Sequence, residues 1–86
     1  MKFDKLKPGM FLYNKQKNIT SWLVIKRKSS DTVMVDDYWR NTLGNFYRDD
    51  SEINEYEWNS GNIYRVCEPA TPEQAQGLIV AIFEKG

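Results

Sequence analysis

The sequence predicts a mostly β fold: an antiparallel meander of five or six short strands curled into a small barrel, with one C-terminal α-helix. Three observations predict it. From Trp22 to Trp39, two runs rich in β-branched and aromatic residues flank the polar break Ser29-Ser30, which is the composition of a β-hairpin. Further turn signals recur at Pro8-Gly9, Gly44-Asn45 and Ser60-Gly61. After Thr71 the apolar period changes from that of strands to that of a helix.

Taken in order, Lys7-Pro8-Gly9-Met10 reads as a type II turn, with Pro presetting the first central position and Gly supplying positive φ at the second. A strand follows over Met10 to Tyr13, then a polar, lysine-bearing loop from Asn14 to Asn18 that is a candidate contact surface. In the hairpin, a Ser29-Ser30 turn places Lys28 opposite Asp31, Ile25 opposite Met34 and Val24 opposite Val35. Gly44-Asn45 returns Tyr38 to Leu43 against Phe46 to Asp50, setting Arg40 opposite Asp49. Ile53 to Trp58 alternates imperfectly as a further strand, and Ile63 to Cys67 reads as the last. Strands thus span about residues 10–67 of a single domain covering 1–86. Thr71 and Gln74 form a capping box around Pro72, opening a helix over about 72–84. Ala75, Leu78, Ile79, Ile82 and Phe83 make its apolar stripe, expected to be buried on the sheet, so that Phe83→Ala should cost about 3 to 5 kcal/mol. Val80 and Ala81 leave the outward face poorly charged, which points to a homodimer through this helix. An open sheet with the helix across one face is the alternative architecture.

At 86 residues the chain buries only about 60 to 65% of its unfolded surface, so its stability margin is thin. The 41% hydrophobic and 14% aromatic content marks a folding chain, not a disordered tail. No apolar run is long enough to span a bilayer, and Met1 to Lys5 lacks the apolar core of a signal peptide, so no membrane partner is expected. The single cysteine, Cys67, fits a reducing, cytoplasmic setting. The formal charge is zero, yet it is +7 up to Ser30 and −7 from Asp31 onward. Such asymmetry signals a polyanion-binding or acidic interaction face, unless the halves neutralise each other across interleaved strands.

The Leu6-Lys7-Pro8-Gly9-Met10 entry turn, the short meander strands and the Trp22 hairpin resemble the SH3-like small barrels, over Leu6 to about Cys67. The ligand-groove motifs of peptide-binding SH3 domains are not legible, so the resemblance implies an architecture and no proline-rich ligand.

Histidine is absent, which removes the commonest general base and metal ligand and the ordinary Ser and Cys triads, so no enzyme is expected. Cys67, in a strand pattern, reads as a small core residue, and one cysteine allows no zinc site. The five glycines are scattered and form no phosphate loop, and adjacent Asp36 and Asp37 point to opposite faces of a strand, so no metal or cofactor is expected. What remains is aromatic and basic. A non-enzymatic module contacting single-stranded nucleic acid would use Lys26, Arg27, Lys28, Trp39, Arg40, Tyr47 and Arg48, through ring stacking and phosphate neutralisation. This requires the bases to share a surface with Trp39 or Tyr47. The alternative is a protein-binding or inhibitory module using an acidic edge of Asp36, Asp49, Asp50, Glu52, Glu55 and Glu57 as a polyanion mimic or a dock for a basic partner.

Overall fold

The computed structural model describes residues 1–85. Five antiparallel strands form one sheet: β1 (Phe11–Lys15), β2 (Ile19–Lys28), β3 (Thr32–Asn41), β4 (Phe46–Asn54) and β5 (Glu68–Pro69), in spatial order β4-β3-β2-β1-β5. Helix α1 (Glu55–Ser60) follows β4, helix α2 (Pro72–Lys85) ends the chain, and a short 3-10 turn spans Phe3–Lys5. The sheet does not close into a barrel, since β4 and β5 are its free edges. The reason is β5, which has two residues, one of them Pro69 without an N–H, and cannot bridge to the nine residues of β4. No helix among the described residues is long and apolar enough to cross a membrane.

The entry turn forms as its residues dictate: Met10 N–H donates to Lys7 O at 3.2 Å, and Gly9 takes φ +90°. Both hairpins beyond it differ in register from the simplest reading. Between β2 and β3 the loop is longer, with Lys28 opposite Val33, because Ser29 Oγ meets Thr32 Oγ1 at 2.6 Å and Ser29 N–H donates to Thr32 O. A bulge at Lys26 then shifts the pairing by one residue, so that Ile25 opposes Val35 and Val24 opposes Asp36. Between β3 and β4, Asn41 Oδ1 accepts from Leu43 N–H and Asn45 N–H, and Gly44 takes φ +87°. That wider loop sets Arg40 opposite Phe46 rather than Asp49, and Asp49 falls opposite Asp37.

Two segments expected as strands are not. Glu55 to Trp58 is helical, because Asn54 caps α1 by accepting Glu57 N–H on its side chain at 2.7 Å and two glutamates sit at the positive end of the helix. Ile63 to Cys67 is a turn that buries Cys67 and half-buries Tyr64 while Ile63, Arg65 and Val66 stay exposed, with Cys67 N–H donating to Tyr64 O at 3.0 Å.

Each face of the sheet is covered over part of its length. On one, α1 and the 3-10 turn bring Trp58, Phe3 and Leu6 onto Leu12, Leu23, Ile25, Val33, Val35 and Ile53. On the other, α2 sets Leu78 against Trp22 and Tyr38, with Phe11, Tyr13, Val24 and Phe46 around them. The capping box is reciprocal, with Gln74 N–H donating to Thr71 Oγ1 and Thr71 N–H to Gln74 Oε1. The stripe that α2 buries differs from the expected one: Leu78 and Ala81 are buried, whereas Ile79, Ile82 and Phe83 are exposed, Phe83 to 82%. Trp22 decides this. Its Nε1–H donates to Gln74 O at 2.8 Å and its ring faces Gly77, where an added Cβ would be in ordinary contact at 3.7 Å. With Gln74 and Gly77 turned toward the indole, the helix is rolled by about 100°, one residue's worth, relative to the expected stripe.

Candidate functional site

Because α1 and the 3-10 turn cover only one end of their face, the other end is open. Alternation along the strands brings Asn14 of β1, Ser21 and Leu23 of β2, and Asp37 and Trp39 of β3 to that floor. Gln16, Ile19, Ile63, Tyr64 and Cys67 complete a cleft of about 290 Å³. Its far wall is fixed by Trp58, buried in the core, whose ring stacks on Tyr64 at 5.3 Å between centroids and whose Nε1–H donates to Met1 O. Trp39 is half-buried and stacks on exposed Tyr47, 5.5 Å between centroids and 20° between planes. Ile63 stands 67% exposed at the rim.

The floor carries an uncompensated carboxylate. Asp37 lies directly opposite Asp49, and like charges so placed repel across about 5 Å between Cβ atoms. Burial first, and Asp49 second, raise the Asp37 carboxyl above its ordinary value. Burial and the same acids also push the Tyr64 phenol upward, so it remains a hydrogen-bond donor. Burial pushes the Cys67 thiol up to about 11. With its Sγ 3.5 Å from Ile63 O, Cys67 is a protonated core group at neutral pH and a poor nucleophile.

The basic and aromatic candidates separate. Lys26 and Arg48 reach Asp36 at 3.7 Å each, Arg40 lies over the Trp22 ring and Arg48 over Tyr38, and Arg27 pairs with Met34, all on the α2 face. Trp39 and Tyr47 are on the opposite face. Lys28 shares their face but covers Phe3, six residues of β3 from Trp39, or about 20 Å. The acidic candidates separate as well. Asp36 is buried between its two bases, Asp50 and Glu52 oppose Asp36 and Met34 on the α2 face, and Asp49 is beside Asp37. Asp49 on the cleft face, and Asp50 and Glu52 on the α2 face, thus stand along the free edge β4, and Glu55 and Glu57 extend the run into the first turn of α1.

Asp37, Tyr64 and Ile63 belong to the site but not to either candidate set. One signal was available in the chain: Asp37 and Trp39, two apart on a strand, must share a face. The contribution of residues 61–67 depends on how the turn after α1 folds back, which no periodicity encodes. Among the described residues no three acid or thiol groups converge as metal ligands would. No family model, curated protein or solved structure matches the chain.

Proposed function

We propose that the chain is a small binding module that takes a protein partner in the cleft between Trp39, Asp37, Ile63 and Tyr64. One observation carries this reading: the accessible ring pair Trp39 and Tyr47 shares its face with Asp37 and Asp49, while Lys26, Arg40 and Arg48 occupy the opposite face and are engaged there. A phosphate backbone stacking its bases on Trp39 would pass within a Debye length, about 10 Å at 0.1 M salt, of two carboxylates. A peptide segment meets no such penalty, and aromatic walls around a polar floor suit it.

A random-peptide display library panned on the full chain should enrich binders that are lost with Trp39→Ala, whereas a single-stranded oligonucleotide should show no mobility shift at about 50 μM protein and about 20 mM salt. An oligonucleotide shift abolished by Trp39→Ala would favour the nucleic-acid module instead.

For the outward stripe of α2, Gln76, Ile79, Val80 and Phe83, we propose a second copy as the occupant. Residues 75–83 carry no charge, so two such helices can meet without like-charge contact, and the basic rim of a membrane-surface helix is missing. Sedimentation equilibrium should show self-association that Phe83→Glu removes, and a concentration-independent monomer mass would dismiss it.

A further inference from the structure

The cleft's volume, walls and charge together specify what enters it. At about 290 Å³ it lies at the foot of the range of about 300 to 1,000 Å³ that drug-sized ligands occupy, and a single long side chain can enter it. Its walls are flat or apolar: Trp39, backed by Tyr47, on one side, and Tyr64 and Ile63 on the other. Its only formal charge is negative. Asp37 and the opposed Asp49 have no ion-pair partner among the described residues, in contrast to Asp36 one position away, which has two bases. One oxygen of Asp49 accepts Asp50 N–H at 2.8 Å. A second oxygen on Asp49 and the whole of the Asp37 carboxylate remain for a visitor.

We infer that the cleft receives a lysine or arginine side chain of the protein partner. This rests on the protein-binding reading above and adds the charge of the residue that enters. The methylene stem lies along Trp39 and Ile63, as long basic side chains do on apolar surface. The cationic head reaches Asp37 at the floor, with the charge of the cross-strand Asp49 beside it, and ring faces add cation–π attraction. An acidic side chain would stand beside two carboxylates, and a purely apolar one would bury the floor without answering its charge. Asn14 and Ser21 of the floor, with Gln16 beside them, offer hydrogen bonds to the peptide.

The test uses the full chain and four peptides, acetyl-Ala-Leu-Xaa-Leu-Ala-amide, in which Xaa is lysine, arginine, norleucine or glutamate. Binding is read from the Trp39 indole resonance in NMR titrations up to about 5 mM, where dissociation constants of about 1 mM are still measurable. Lysine and arginine should bind about tenfold or more tightly than norleucine, with glutamate weakest. Asp37→Asn should reduce that preference to about threefold or less while leaving norleucine binding in place, and Asp49→Asn should reduce it partway. The Trp22 and Trp58 indole resonances report whether each variant retains its fold. Norleucine binding as tightly as lysine would overturn the charge assignment and leave a protein-binding cleft standing. If no peptide moves the Trp39 resonance, both readings fall together.

Discussion

Burial and the opposed Asp49 disfavour the charged form of Asp37, and Tyr64 and Cys67, which face it from the turn after α1, offer no positive charge. The folded state therefore holds this proton more tightly than the unfolded chain does. Between the ordinary carboxylate value and the raised one, stability falls as pH rises, and the penalty persists at neutral pH. Asp37→Asn should accordingly raise the melting temperature at pH 7 and lose that advantage below pH about 3.8, where both states are protonated. A gain that is equal at both pH values would mean that the side chain, not its charge, is what the site resists. Gly44 makes a second claim at this scale. At φ +87° with open space around it, Gly44→Ala meets no clash, only backbone strain, and should cost about 1 to 2 kcal/mol in urea unfolding.

Among the elements, α2 shows how far sequence patterning reaches. Its start was legible, because Thr71, Pro72 and Gln74 satisfy the first turn locally. Its buried face was not, because the deciding partner, Trp22, is about fifty positions away in the chain and reads Gln74 O and Gly77 rather than the largest side chains. The consequence is measurable: Leu78→Ala should cost about 2 to 5 kcal/mol and Phe83→Ala less than about 1, the reverse of the ranking by side-chain size. The hairpins teach the same lesson. Their strands announce themselves by β-branched and aromatic content, but register depends on how Ser29 and Asn41 bond within their loops and on one extra residue at Lys26. Through that register Asp49 meets Asp37 instead of Arg40, so the charge of the cleft was hidden although Trp39 and Tyr47 were both recognised. Helix α1 was legible in principle, since Asn54 with Glu57 three residues on is a capping signature, and the alternation of Ile53 to Trp58 obscured it.

At the scale of the molecule, one sheet is served by two small cores on opposite faces, joined through the strands rather than through a shared interior. Removing the chain from Thr71 onward should uncover Trp22 and Tyr38 and shift tryptophan emission to longer wavelength, while Trp58 stays enclosed by Phe3 and Leu6. Unchanged emission would mean that α2 contributes nothing to the burial of Trp22. The open sheet has another consequence, for the protein in a crowded solution. Its free strand β4 offers nine residues of backbone that could template the same strand of a neighbour. Asp49, Asp50 and Glu52 stand along it, and in an antiparallel self-pairing centred on them acids would meet acids, which blocks growth into fibrils. The combined variant Asp49→Asn, Asp50→Asn, Glu52→Gln should remain folded yet form thioflavin-positive aggregates on shaking where the unaltered chain stays clear, making this acidic run a guard against polymerisation.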